Sequence, residues 1–285
     1  MRLRWRWIHR LAIGLLLVPA HVAAHQGPDD AAESDLVVEI AAFSTNALIG
    51  AATAGVRALL EGRDFGQAFI GGALGGGVSY AGKRIAVADF GAAPITGRVV
   101  ASFGHAMIAG AGSSLLPDSV RLPIGPFRIG LSWSDGVRPS FAVVGREVVV
   151  LAQLLADDGL RFDRDRSLAA ATPVFVTRRS RLWNGGEQVG GFASGSLILL
   201  DGLYAEDSYR HEVVHVLQHD FMEVAWDRPL EEWLRRITPG AHWIPNWIYL
   251  GMVVPTMRWI DDTLNDDSGV ILRLMQEEAI WLEGR

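Results

Sequence analysis

The chain has 285 residues, 49% of them hydrophobic, a formal net charge of −6 and no cysteine. The length allows one or two domains with a sizeable core. No basic cluster of the kind that binds phosphates is present, which argues against nucleic acid as a partner, and neither a disulfide nor a cysteine-linked lipid can form.

Residues 1–24 read as an export signal. "MRLRWRWIHR" is a positive start, "LAIGLLLVPA" an apolar core, and Val22 and Ala24 are small residues suited to a cleavage site. The apolar core falls short of the roughly 20 residues that a bilayer-spanning helix needs, and an uncleaved N-terminal anchor is the alternative. The expected location is the periplasm, the cell envelope or the outside of the cell. "HQGPDDAAESD", residues 25–35, is a polar lead-in.

Residues 25–116 form a Gly/Ala-rich helical region. Residues 36–116 hold 15 of the 32 glycines, many inside helical runs such as "NALIGAATAGVRALL" and "AFIGGALGGGVSYAGKRIA". A glycine in a helix costs about 1 kcal/mol relative to alanine, so close helix packing must offset it. Gly72 with Gly76, and Ala106 with Gly110, lie one turn apart and predict small-residue seams between two to four helices. His105 stands alone here and reads as a packed or surface histidine. Lys83 is the single lysine against 25 arginines, which reads as codon bias.

From residue 117 to residue 285 the pattern becomes mixed. "PFRIGLSW" alternates Ile129, Leu131 and Trp133 with polar or small residues and predicts a strand, paired across the turn "SDGV" with "RPSFAVV". "REVVVLAQLLADDG" predicts a helix, although its valines also suit a strand. "TPVFVT" is a short strand, "RLWNGGEQVGGFASG" a loop and "SLILLDG" a buried strand.

The segment 205–222 follows and contains "YRHEVVHVLQHDF". Asp207 or Ser208 suits the cap of a helix here. At 100° per residue His211 and His215 share a face, and two imidazoles one turn apart reach one zinc ion. Glu212 flanks that face, while Val213, Val214, Leu217 and Phe221 fall on the side that packs against a sheet. His219 lies about 6 Å of rise beyond His215 and cannot easily share a metal with His211.

"HEVVHVLQ" resembles the active helix of zincin metallopeptidases, above all small gluzincin-like domains with HE-x-x-H-V-x-Q. The resemblance covers at most residues 117–285. It implies an α-rich α+β fold, one bound Zn2+, His211 and His215 as ligands and Glu212 as general base in peptide-bond hydrolysis on a zinc-activated water. The metzincin pattern does not fit, because Gln218 and Phe221 stand where its glycine and third histidine would be.

In gluzincin-like families the third ligand is a glutamate in a Glu-Ala or Glu-x-x-Ala context on a later helix. That points to "LMQEEAIWLEGR", with Glu278 as first choice and Glu277 as second. Glu223, Glu231 and Glu232 read as solvated charges on an amphipathic helix. Gln218, His219 and Tyr249 are candidates for a supporting or oxyanion role, as are Tyr204, Tyr209 and His242.

"AHWIPNWIYLGMVVPTMRW" carries Trp243, Trp247 and Trp259 around an apolar run. It suits a helix hairpin on the active helix, the wall of a substrate cleft, or a peripheral membrane contact through residues 243–259. The sequence therefore predicts an exported zinc metallopeptidase acting on a peptide or protein. The alternative is a non-catalytic envelope scaffold whose metal is structural or whose site is degenerate.

Overall fold

The computed structural model describes residues 31–111, 116–178, 182–184, 187–229, 231, 235, 238, 248–249, 276 and 278–282. The expected export signal, Glu232, His242, Glu277 and segment 243–259 (apart from the backbone of Ile248 and Tyr249) lie outside them. The chain divides into two compact units. One comprises Met1–Tyr80 and Phe103–Pro117, the other Ala81–Ser102 and Asp118–Arg285.

Three helices run through the Gly/Ala-rich region: α1 (Ala31–Glu61), α2 (Phe65–Ala86) and α3 (Ala93–Gly110). Just before α2, the Asp64 carboxylate accepts a hydrogen bond from the Gln67 backbone N–H at 2.6 Å and so satisfies an otherwise open donor of the first turn. Within the first unit the helices touch backbone to backbone. A Cβ on Gly76 would strike the Asn46 carbonyl, and one on Gly75 would lie 2.7 Å from the Gly104 carbonyl. Gly72 and Gly76 thus sit in the expected seam. Gly110 does not: it ends α3 with no neighbour within 4 Å of an added Cβ. His105 is packed, its Nε2 3.0 Å from the Ser79 hydroxyl.

The second unit is α+β. Strands β1 (Ser119–Ile124), β2 (Phe127–Ser132) and β3 (Arg138–Val144) form an antiparallel meander, and β10 (Ile248–Tyr249) joins β3 in parallel. Helix α4 (Gly145–Ala156) follows β3, so "REVVVLAQLLA" is helical. Next come β4 (Leu160–Phe162), α5 (Arg164–Ala170) and β5 (Val174–Thr177). The segment expected as a loop instead forms the hairpin β6 (Leu182–Asn184) and β7 (Glu187–Val189), then β8 (Gly191–Ala193). Strands of three residues are too short to show a period. Strand β9 (Ile198–Leu200) completes a mixed sheet of order β4-β5-β9-β8. Helix α6 (Ala205–Met222) and a π-helical turn, Glu223–Asp227, follow.

The period of β2 is as expected, and its apolar face is the exposed one. Ile129 and Leu131 are exposed, whereas Arg128 and Gly130 are buried. Arg128 turns inward because its guanidinium donates to Glu223 at 2.6 Å and to Glu147 at 3.1 and 3.2 Å. Glu223 and Glu231 are therefore not solvated charges. Both are buried, Glu223 between Arg128 and Arg228 and Glu231 beside Arg235. Arg98 makes a second buried pair with Asp220, whose carboxylate also accepts from the Ser196 hydroxyl. Among the described residues no helix is long and apolar enough to cross a membrane.

Candidate metal centre

The site begins with the strand before it. Ile198, Leu199 and Leu200 are buried, and at the end of β9 the buried Asp201 organises the turn. Its carboxylate accepts from the backbone N–H groups of Leu203 at 2.8 Å and Leu182 at 3.0 Å. Helix α6 then starts after Tyr204, with no side chain capping it; neither Asp207 nor Ser208 is the cap. Val213, Val216 and Leu217 pack against Val174, Val176, Ile198 and Leu200 of the mixed sheet. The helix is buried on most sides, and His211, His215 and His219 form its half-buried stripe.

His211 and His215 meet as the one-turn spacing requires. Their Nε2 atoms are 3.1 Å apart and their rings meet edge to face at 77°. Two nitrogens at 2.0–2.1 Å from one zinc at the tetrahedral angle would be separated by about 3.3 Å. The Gln276 side chain reaches the same point, its Oε1 2.9 Å from His215 Nε2 and its Nε2 3.0 Å from His211 Nε2.

A hydrogen-bond chain fixes the polarity of this cluster. The Lys83 ammonium, which can only donate, lies 2.8 and 2.7 Å from the two Glu278 oxygens. The Glu278 carboxylate, which can only accept, takes the Gln218 amide N–H at 2.7 Å. Gln218 Oε1 must then face His215 Nδ1, at 2.7 Å, and Nδ1 carries the proton. Desolvation lowers the His215 pKa and the neighbouring His211 lowers it further, against the Gln218 and Gln276 hydrogen bonds and the Glu278 charge. With Nδ1 protonated, the neutral ring presents its lone pair at Nε2. The Gln276 amide lies against both Nε2 atoms, so two imidazole nitrogens and an amide converge, and these are groups that can serve as donors to a cation.

Glu212 is buried on the flank of this face. Its Cγ lies where a Cβ on Gly191 would come within 3.0 Å, so the absence of a side chain on β8 makes room for it. Glu278, expected as a ligand, is held by Lys83 and Gln218. Among the described residues no three His, Asp or Glu side chains gather as a metal-binding group. His219 is desolvated, with its pKa pushed down to about 4 and His215 adding to the shift. The Tyr209 hydroxyl donates to the Arg166 carbonyl at 3.0 Å, Tyr204 is exposed, and Tyr249 contributes its backbone to β10. Gln276 and Lys83 were not singled out by the sequence reading. Gln276 stands one residue before the expected glutamates, and its amide carries no charge to mark it.

Comparison of the chain with models of known protein families, with curated proteins and with solved structures found no match.

Proposed function

We propose that the protein is a zinc-dependent hydrolase of peptide bonds, exported to the envelope or beyond. The observation that carries this reading is the pair of Nε2 atoms of His211 and His215, 3.1 Å apart, with Gln218 Oε1 2.7 Å from His215 Nδ1. His211 and His215 hold the ion, together with a donor from the segment 276–278. When bound, zinc would supply a Lewis acid that lowers the pKa of water to about 7. The Glu212 carboxylate takes a proton from the attacking water and returns it to the leaving nitrogen, which departs as an amine. The position of Glu212, buried beside the histidine face in the room left by Gly191, favours this role. Gln218 keeps the His215 ring in one orientation throughout.

The test is a pair of measurements on Glu212→Gln. Metal analysis should find one equivalent of zinc in both wild type and variant, and the variant should lose about 10²–10⁴-fold in turnover of a cleaved peptide. Wild type that holds one zinc yet cleaves nothing in a broad peptide library would remove the enzyme reading and leave a structural metal.

A further inference from the structure

The residues nearest the histidine pair do not follow the expected pattern. The glutamate expected to complete it has both oxygens engaged, by the Lys83 ammonium at 2.8 and 2.7 Å and by the Gln218 amide at 2.7 Å. Lys83 is itself buried and paired with that carboxylate, so releasing Glu278 to a metal would break a buried ion pair. Gln276 has the reverse disposition. It is exposed, and its amide stands 2.9 and 3.0 Å from the two Nε2 atoms.

We infer that Gln276 is the third protein donor of the centre, through its carbonyl oxygen, and that Lys83 withholds Glu278 from it. This rests on the metal reading of the site. Glu278 then acts on the metal at one remove: it orients Gln218, which sets the tautomer of His215. The donor set of two imidazoles and an amide is uncharged, so a divalent ion there keeps its full charge. Such a centre binds its ion less tightly than one with a carboxylate and polarises what it touches more strongly. Gln276 also lies on the solvent side, where exchange with an entering ligand is easiest.

The chain contains no cysteine, so a single introduced thiol is an unambiguous reporter. Cobalt(II) is added to the full-length metal-free variants Gln276→Cys and Glu278→Cys, and the near-ultraviolet thiolate-to-cobalt band is recorded. Zinc affinity of wild type and Gln276→Leu is measured in parallel against a chromophoric chelator. The inference expects the band in Gln276→Cys and not in Glu278→Cys, and a loss of about tenfold or more in affinity for Gln276→Leu. Position 276 is exposed, so its two variants retain the fold, and circular dichroism and the zinc stoichiometry of Glu278→Cys are recorded beside them to show that it folds. A band in Glu278→Cys alone, or in neither variant, overturns the assignment while leaving the metal reading in place. Wild type that binds neither zinc nor cobalt overturns that reading, and the inference falls with it.

Discussion

Gln218 shows how much a single uncharged side chain can decide. Its amide has two ends, and a carboxylate at one end dictates which end faces His215. Substitution by leucine removes the acceptor for His215 Nδ1–H and frees the ring to choose its tautomer. The expected outcome is a 10–100-fold loss of zinc affinity with an unchanged circular dichroism spectrum, read by calorimetric titration. Gln218 was expected near the site because it stands at the glutamine of the HE-x-x-H-V-x-Q pattern that the helix resembles. The sequence offered no such clue for Lys83. An ion pair across 195 residues leaves no local pattern, and the one lysine in an arginine-rich chain reads as codon usage. Glu278 was legible as a residue of the site. The partner that engages it was not.

Helix and strand boundaries were most legible where one period ran for several turns. The span 205–222 emerges as one helix with those limits, since its buried valines and leucine recur at helical spacing. The short strands β6 to β8 were missed because three residues cannot establish an alternation. Strand β2 carries a different lesson: its alternation was read correctly, and its apolar face is the exposed one. A guanidinium with two carboxylate partners lies inside, and phenylalanine, isoleucine and leucine lie outside. The helical seams make a prediction of opposite signs. Gly76→Ala drives a methyl into the Asn46 backbone and should cost about 1–3 kcal/mol. Gly110→Ala meets nothing within 4 Å and should gain up to about 1 kcal/mol. Urea unfolding of the two variants measures both.

At the scale of the second unit, the balance of buried charge governs the response to pH. Arg98, Arg128 and Arg228 face Asp220, Glu147 and Glu223. Burial pushes the Glu147 carboxyl up to about 7; Arg128 opposes the shift, while Glu223 and Asp220 add to it. Its folded pKa therefore exceeds the ordinary value of 4.5, so the protonated form stabilises the fold below about pH 4.5, and that contribution is lost as pH rises through 7. Glu223 behaves oppositely. Burial would raise its pKa, but Arg128 and Arg228 hold it at about 2, and its contribution is lost only as pH falls from 4.5 towards that value. The melting temperature should accordingly decline between about pH 5 and pH 8, and Glu147→Gln should flatten that decline. A wild-type profile already flat over this range would show that Glu147 does not titrate there. Arg98→Met should be far more damaging, about 3–5 kcal/mol, because it leaves Asp220 charged and buried.

The pairing of Lys83 with Glu278 also bears on the order in which the molecule assembles. Gly75 and Gly104 meet across 29 residues and His211 and His215 within one helix, but the centre joins groups 60 to 195 positions apart. Closing long loops is the slow part of folding. The two histidines are thus organised early and the arm bearing Gln276 and Glu278 arrives late. A chain caught between those stages would hold metal weakly through two imidazoles alone. During refolding from denaturant, tight zinc capture should lag behind the recovery of helical signal, and that delay times the docking of the last arm.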